Sequence, residues 1–285
     1  MKTVIFVPET CHLHKLAMIH REGKDFVEIV QIGADFEECT EKAVAYSQQQ
    51  GLPFLKAFDD ETLLHGFATI GKEVLEADKK REINYIMVPA GGGGLVSSIA
   101  SVAKQISPKT KVIGVEPDNC KPFSSSILAG KLVSFERASK FCNGSSVRST
   151  SELAWSMGRT CVDGFVEVSE KKLAEMIIQL YALGFICEPS GALSIAALDK
   201  MRHEIKGKNV VCILSGANID LTKLDEAREI AAVSKGIKNH YHVHLPNRWG
   251  AMHDLITKCF KKTDIVSLQY SQRFGKESSQ LVLSV

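Results

Sequence analysis

The sequence lacks an excess of charge of either sign. Its 35 Lys+Arg residues are balanced by 33 Asp+Glu residues, which gives a formal net charge of +2 at pH 7. Surfaces that bind nucleic acid or anionic membranes carry a clear basic excess. We therefore expect no nucleic acid and no membrane among the partners of this chain, and we favour a small molecule.

Long apolar runs are also missing. The first one, Val4 to Val7, ends at Pro8 and is too short for a signal peptide or a membrane span. The chain has 285 residues, of which 45% are hydrophobic and 24% are charged, as in globular proteins of one large or two smaller domains. This composition argues against a membrane-spanning protein and against a disordered chain.

The cysteines lack any spacing that indicates a disulfide framework or a metal site. There are eight of them, scattered along the chain and without a C-x-x-C pair. Such a distribution is typical of reduced thiols, so we predict a cytoplasmic location and no bound metal. The alternating His240, His242 and His244 could bind a metal ion, but solvent-facing positions of a strand explain them more simply.

Strand-like and helix-like patterns alternate along most of the chain. The stretches typical of strands are Thr3–Val7, Glu28–Ile32, Pro53–Leu55, Tyr85–Val88, Val112–Val115, Phe165–Val168 and Asn209–Leu214. Amphipathic helix patterns lie between most of them, which predicts an α/β fold with a twisted, mostly parallel sheet and helices on both faces. Residues 117–150 are the least periodic and predict a loop, and Ser149 to Glu152 fits the capping box of the following helix.

The pattern changes after residue 237. Residues 241–245 alternate like a half-buried strand, residues 250–260 have a helix pattern, and residues 265–270 and 280–285 predict two further strands. This order of strand, helix, strand and strand predicts a small α+β module at the end of the chain.

Four consecutive glycines follow the predicted strand Tyr85–Val88. Gly91, Gly92, Gly93 and Gly94 precede a helix pattern that begins at Leu95. Glycines permit positive φ and bring several N–H groups close to one anion, and the helix N-terminus adds a favourable dipole. The stretch therefore predicts a phosphate-binding loop rather than a plain flexible turn.

The phosphate could belong to a dinucleotide or to a cofactor with a single phosphate. A dinucleotide site needs the spacing G-x-G-x-x-G/A and an acidic residue after the next strand. Glu116 fits the acidic residue, but the β-branched Val96 stands where close helix packing needs glycine or alanine. A single-phosphate cofactor is therefore preferred, and a dinucleotide is the second choice.

Ser215 follows another predicted strand, Asn209–Leu214. Ligands of open parallel sheets bind at the carboxyl ends of the strands, so Ser215 and the glycine loop could face one site. A plain turn serine explains Ser215 equally well. Glu188, just before Pro189, is more often a partner of a helix N-terminus than a catalytic residue.

Several ordered motifs carry a family resemblance. They are Phe58–Asp60, Val88–Leu95, Val112–Pro117, Glu188–Leu193 and Ile213–Asp220. Together they resemble the threonine dehydratases, which are pyridoxal-phosphate enzymes with the tryptophan-synthase-β fold, also called fold type II. The tail stretch Leu245–Ala251 resembles the ACT-like regulatory segment of the biosynthetic members. The resemblance implies the remainder of a small domain in residues 1–57, a large cofactor-binding domain in 58–236 and a partial ACT-like segment in 237–285.

The resemblance also implies a site for pyridoxal 5'-phosphate. The loop Gly91 to Gly94 and the amide of Leu95 would hold its phosphate. Ser215 would hydrogen-bond the pyridine nitrogen, Glu188 would lie near the ring, and Asn143 and Gly144 would lie on the substrate side. The implied reaction removes ammonia and the β-hydroxyl from L-threonine to give 2-oxobutanoate, the first step of isoleucine biosynthesis. A homo-oligomer and isoleucine or valine as effectors are implied as well.

Two features of the family have no match in the 285 residues. These are the lysine that forms a Schiff base with the cofactor and a Ser-Gly-Asn-His stretch. In the family both precede the segment that matches Thr3–Glu9, so we assign no catalytic residue here and expect no dehydratase activity of this chain alone. The alternative hypotheses are a truncated, non-catalytic remnant that binds a phosphate ligand or a partner subunit and, more weakly, a dinucleotide-binding protein.

Overall fold

A computed structural model of the chain describes all residues except 1, 12, 57–58, 81, 137–140, 143, 146 and 272–276. The chain divides into two compact units, Met1–His65 and Gly66–Val285. Phe58 and Asn143, which belong to the family motifs, lie outside the described residues.

The first unit contains one parallel pair of strands. Its elements are β1 (Thr3–Val7), α1 (Leu13–Gly23), β2 (Val27–Gln31) and α2 (Phe36–Gln50). Ile5 is opposite Ile29 in the pair, and α1 provides the crossover that parallel strands require. Asp35 caps α2 by accepting a hydrogen bond from the Glu38 amide, and Gly51 ends it with a φ of +63°.

One predicted strand of this unit was wrong, and one helix was not predicted. Helix α1 lies between the two strands, in a stretch to which the sequence analysis assigned no element. The predicted strand Pro53–Leu55 does not form. Three residues beginning with proline, which has no amide to donate, are a poor start for a strand.

The second unit is built on a four-stranded parallel sheet. Its strands are β3 (Ile83–Pro89), β4 (Lys111–Pro117), β5 (Gly164–Val168) and β6 (Asn209–Cys212), in the spatial order β5-β4-β3-β6. Its helices are α4 (Gly94–Ile106), α5 (Pro122–Ala129), α6 (Glu152–Cys161), α7 (Glu170–Ala182), α8 (Pro189–Ala196) and α9 (Leu221–Ser234), and α3 (Glu61–Ala77) contributes residues to both units. The predicted α/β class with a mostly parallel sheet is confirmed.

Both faces of this sheet are buried. Ile86 and Val88 of β3 lie in one apolar cluster with Ile99 of α4, whereas Met87 between them lies in a second cluster with Leu193 of α8. Alternate side chains of a strand point to opposite faces, so a strand covered by helices on both sides must be apolar at every position. Burial of each such side chain contributes about 1.5–3 kcal/mol, which stabilises β3 in the middle of the unit.

The end of the chain forms a separate antiparallel sheet. Its elements are β7 (His240–Pro246), α10 (Ala251–Cys259), β8 (Ser267–Ser271) and β9 (Ser278–Ser284), with the strands in the order β7-β9-β8. Leu245, Ala251, Leu281 and Leu283 form its small core. The predicted order of strand, helix, strand and strand is confirmed.

The three histidines of β7, His240, His242 and His244, are all exposed. Within the described residues, no three or more His, Cys, Asp and Glu side chains are grouped so that they could hold a metal ion. Among the helices of the same residues, none combines the length and the apolar character needed to cross a membrane.

Two details of the second unit differ from the predictions. The predicted loop 117–150 contains helix α5, which begins at Pro122 with its fixed φ. The N-cap of α6 is Ser151, which accepts a hydrogen bond from the Ala154 amide, and not Ser149. Helix α8 ends at Ala196, and the chain continues as a short 3-10 turn.

Candidate functional site

Four segments of the second unit approach one another at the carboxyl edge of the parallel sheet. They are the glycine loop 91–94 after β3, the turn at residues 144–145, the N-terminal turn of α8 from Glu188 to Gly191, and residues 213–218 after β6. Each of their contacts involves a glycine at which an added Cβ atom would lie within 3 Å of the neighbouring segment.

The backbone N–H groups of the glycine loop are available as hydrogen-bond donors. In the described part of the chain, the N–H groups of Gly91, Gly92 and Gly93 donate to no acceptor. Gly93 has a φ of +88° and is the N-cap of α4, so the first amides of that helix point in the same direction. The loop therefore offers several N–H donors and a helix N-terminus to one anion.

Ser145 lies directly on this loop. A Cβ atom at Gly91 would be 2.5 Å from the carbonyl oxygen of Ser145, and a Cβ at Gly93 would be 2.4 Å from the ring of Phe123. Gly91 is therefore required by the close approach of another backbone, and Gly93 by its positive φ and by the Phe123 ring.

Thr150 and Ser151, which were not predicted as site residues, bind the other side of the glycine loop. The carbonyl oxygen of Gly92 accepts hydrogen bonds from the Thr150 hydroxyl at 2.8 Å and from the Ser151 amide at 3.2 Å. Because the carbonyl is fixed in this way, the Gly93 amide of the same trans peptide plane is directed away from α6. The cluster of hydroxyl residues before α6 was the signal, but it was attributed to capping alone.

Glu188 is the N-cap of α8 and is half-buried. Its amide donates to the carbonyl of Gly216 at 3.1 Å. A Cβ atom on Gly216 would lie 2.5 Å from Oε1 of Glu188, and one on Gly144 would lie 2.8 Å from the same oxygen. The carboxylate of Glu188 is thus seated between the backbones of two glycines, one from the turn and one from the segment after β6.

Ser215 follows β6, which is the neighbour of β3 in the sheet. The Ile213 amide donates to the carbonyl of Met87 at 3.0 Å, which extends the pairing up to the two loops. Ser215 and the glycine loop therefore leave the same edge of the sheet from adjacent strands, as predicted. Ser215 is exposed, so its hydroxyl is accessible to a ligand.

The side chain of Glu116 is not available to a ligand at this edge of the sheet. Its side chain is 1% exposed, and its two carboxylate oxygens accept hydrogen bonds from the amides of Phe123 and Ser124, both at 2.9 Å. Burial raises the pKa of this carboxyl to about 7, against the lowering effect of those hydrogen bonds. Since Glu116 caps α5, the acidic residue that favoured a dinucleotide is not placed to bind a ribose.

Comparison with known proteins agrees with this geometry. The sequence profile of the pyridoxal-phosphate dependent enzymes matches residues 1–216. The chain belongs to this family. It is 32% identical to a biosynthetic L-threonine dehydratase of Halalkalibacterium halodurans over 283 residues, which cover 99% of the chain and 68% of that relative. It is 33% identical to the corresponding enzyme of Lactococcus lactis, covering 100% of the chain and 70% of the relative.

Among solved structures, the processed form of threonine deaminase isoform 2 from Solanum lycopersicum superposes with a TM-score of 0.75 and 33% identity. The match covers 81% of the chain and 66% of that structure. The chain thus has the type II fold and belongs to the threonine dehydratase branch of the family, a group of lyases. It spans about two thirds of the length of these relatives.

The residues present fit the cofactor of the family. A phosphate group needs several donors at one point, and the glycine loop offers three N–H groups that have no other acceptor in the described residues, next to the N-terminus of α4. Because Gly91, Gly144 and Gly216 carry no side chain, the segments around the loop can approach Ser145, Ser190 and Glu188 closely. Pyridoxal phosphate bound here would supply an electron-withdrawing ring to an amino-acid substrate.

Proposed function

We propose that this chain holds pyridoxal 5'-phosphate at the carboxyl edge of its parallel sheet and serves the deamination of L-threonine to 2-oxobutanoate and ammonia, the first step of isoleucine biosynthesis. The observation that carries the proposal is the glycine loop with its three unused amides, at the same sheet edge as Ser215. The identity of 32% to biosynthetic L-threonine dehydratase supports the substrate.

The phosphate of the cofactor is assigned to Gly91, Gly92, Gly93 and Gly94, together with the amide of Leu95. These donors lie at the start of α4, where the helix dipole favours negative charge by about 0.3–1 kcal/mol. No lysine or arginine is needed at this position, because backbone amides supply both the hydrogen bonds and the favourable field.

The pyridine ring is assigned to Ser215 and Glu188. Ser215 offers a neutral hydroxyl to the ring nitrogen, so the ring is a weaker electron sink than one paired with a carboxylate, which suits β-elimination better than transamination. Glu188 has a fixed position because its carboxylate lies between Gly144 and Gly216. A group held in this way keeps its orientation when a substrate enters.

The substrate side is assigned to Gly144 and to Asn143. Gly144 is exposed and borders both Ser190 and Glu188, so a substrate amino acid could approach the site there.

None of the lysines matches the family pattern of the covalent lysine. Lys56 and Lys72 make exposed ion pairs with Asp59 and Glu76 on the surface. We therefore retain the expectation that the 285-residue chain alone releases no 2-oxobutanoate from L-threonine. A coupled assay for the 2-oxo acid measures this directly, and turnover that is lost when one particular lysine is replaced would contradict it.

A ligand titration tests the cofactor assignment. The purified chain is titrated with pyridoxal 5'-phosphate, inorganic phosphate and NAD while tryptophan fluorescence is followed. We expect pyridoxal phosphate to bind more tightly than inorganic phosphate, and both more tightly than NAD, because Glu116 is not available to a ribose. Tighter binding of NAD than of pyridoxal phosphate would overturn the assignment.

The remaining assignments concern domains, partners and location. Residues 1–57 and 58–236 are proposed to be parts of the small and large domains, and residues 237–285 an ACT-like regulatory segment in a homo-oligomer that responds to isoleucine or valine. The separate core of the tail supports the last boundary. The described residues contain no disulfide, which supports a cytoplasmic location. A thermal shift with isoleucine, and its absence after removal of the tail, would support the regulatory role.

A further inference from the structure

A buried thiol lies behind the proposed cofactor site. The side chain of Cys142 is fully buried, and its sulfur is 3.0 Å from the hydroxyl oxygen of Ser145 and 3.6 Å from that of Ser190. Ser145 belongs to the turn that lies on the glycine loop, and Ser190 belongs to the first turn of α8. The thiol therefore connects two segments that are 48 residues apart in the sequence.

The thiol is also the hydrogen-bond partner of two buried hydroxyls. Both side chains are buried, and in the described part of the chain Cys142 is the hydrogen-bond partner of each hydroxyl. Burial raises the pKa of the Cys142 thiol to about 11, so the group remains protonated at neutral pH. A protonated thiol can donate one hydrogen bond and accept another, which matches two hydroxyl neighbours.

Each serine in turn fixes one wall of the site. The backbone of Ser145 lies against Gly91, where a Cβ atom would meet its carbonyl oxygen at 2.5 Å. Ser190 lies against Gly144, where a Cβ would meet its hydroxyl at 2.6 Å. A shift of either serine would change the width of the space between the glycine loop and Glu188.

We propose that Cys142 is a positioning residue of the cofactor site: its thiol ties the turn 144–145 to the start of α8 and thereby sets the distance between the glycine loop and Glu188. This inference rests on the proposed function, since it assigns a role within the same site. Cys142 does not touch the ligand and acts through Ser145 and Ser190.

The test compares Cys142→Ala with Cys161→Ala in the full chain. Cys161 is also buried and donates to the carbonyls of Met157 at 3.1 Å and of Ser97 in α4 at 3.6 Å, but among the described residues it has no hydrogen bond to the turn or to α8. Both variants remove a buried sulfur, so both should lower the melting temperature. We expect the Kd for pyridoxal phosphate to rise at least tenfold in Cys142→Ala and less than twofold in Cys161→Ala, and Cys142→Ser to return it to within threefold of the parent chain.

A thermodynamic cycle separates positioning from general packing. With Cys142 present, the double change Ser145→Ala and Ser190→Ala should raise the Kd about tenfold. In the Cys142→Ala background, the same double change should alter the Kd less than twofold, because the hydrogen bonds between the thiol and the two hydroxyls are already lost. If the Kd changes caused by Cys142→Ala and by the double serine change multiplied fully in the combined variant, the inference would be overturned. Equal Kd values for Cys142→Ala and Cys161→Ala would also overturn it.

Hydrogen exchange of the Gly91, Gly92 and Gly93 amides gives a second measurement that needs no ligand. The exchange should be faster in Cys142→Ala than in Cys161→Ala, and equal rates would overturn the inference. If the parent chain itself does not bind pyridoxal phosphate, the proposed function fails, and the exchange rates alone decide whether Cys142 positions the loop.

Discussion

The two sheets of the second unit differ in how their strands are covered. In the central parallel sheet, every residue of β3 from Ile86 to Pro89 is buried, whereas all five residues of β8 in the tail sheet are exposed. Helices cover both faces of the first sheet, while a small core with α10 is formed on one face of the second. A rigid edge that can orient several loops therefore exists in the parallel sheet, and this is where the candidate site lies.

The glycines of the two regions show the same difference. At Gly91, Gly144 and Gly216 an added Cβ would lie within 3 Å of another segment, whereas at Gly250 before α10 it would meet nothing within 4 Å. Gly250 is needed only for its φ of +76°. At the site, glycine allows neighbouring segments to approach closely. In the tail, Gly250 only provides the positive φ of a turn.

The largest effect is expected from Gly91→Ala. The new Cβ would displace the turn at Ser145 from the glycine loop, so the Kd for pyridoxal phosphate should rise about a thousandfold, or about 4 kcal/mol. The matched change Gly250→Ala should cost about 1 kcal/mol of stability through its backbone conformation and leave the Kd unchanged. Titration of both variants measures this, and similar Kd values would show that close approach at Gly91 does not shape the site.

The next effect concerns the tail. Leu283 is fully buried in the small core of the tail sheet, so Leu283→Ala should lower the free energy of unfolding of that module by about 3 kcal/mol. The Kd for pyridoxal phosphate should stay within twofold of the parent value, because no element of the site depends on the tail. Chemical denaturation and ligand titration on the same sample compare the two quantities, and a large change in Kd would show that the regions are coupled.

A pH-dependent effect is expected at Glu116. Its folded pKa of about 7 lies above the ordinary value of 4.5, so its contribution to stability is fully present below about pH 4.5 and is lost as the pH rises through 7. Glu116→Gln replaces one acceptor oxygen by a donor and should cost about 1–2 kcal/mol at low pH. Denaturation between pH 4.5 and 8 should show the difference between parent and variant shrinking as pH increases; parallel curves would contradict this.

The smallest effect is expected from Ser215→Ala. Loss of one neutral hydrogen bond to the ring should raise the Kd for pyridoxal phosphate about fivefold, or about 1 kcal/mol. The Kd for inorganic phosphate should not change, because that ligand has no ring. If both ligands were weakened equally, Ser215 would support the loop rather than the ring.

The sequence was sufficient to predict the parallel sheet and the two loops at its edge. Short apolar stretches followed by Gly91 or Ser215 are local signals, and the edge at which parallel strands end is a general rule. The contact of Glu188 with Gly144 and Gly216 had no such signal, because periodicity does not tell which turns meet in space. The tie from Cys142 to Ser190 was missed for the same reason.

The cap of α6 shows how tertiary contacts decide between local alternatives. Ser149, Thr150 and Ser151 are all suitable N-cap residues, and the capping-box rule selected Ser149. In the structure, the Thr150 hydroxyl is bonded to the carbonyl of Gly92, which leaves Ser151 to cap the helix. The glycine loop, 58 residues earlier, therefore sets the start of α6.

The pairing of β3 with β6 has a consequence for synthesis of the chain. The two strands are neighbours although Asn84 and Asn209 are 125 residues apart. A ribosome adds about 5–20 residues per second, so β3 waits roughly 6–25 s for its partner while its edge is unpaired. During that time the nascent chain can aggregate, and production at lower concentration or together with chaperones should increase the yield of folded protein.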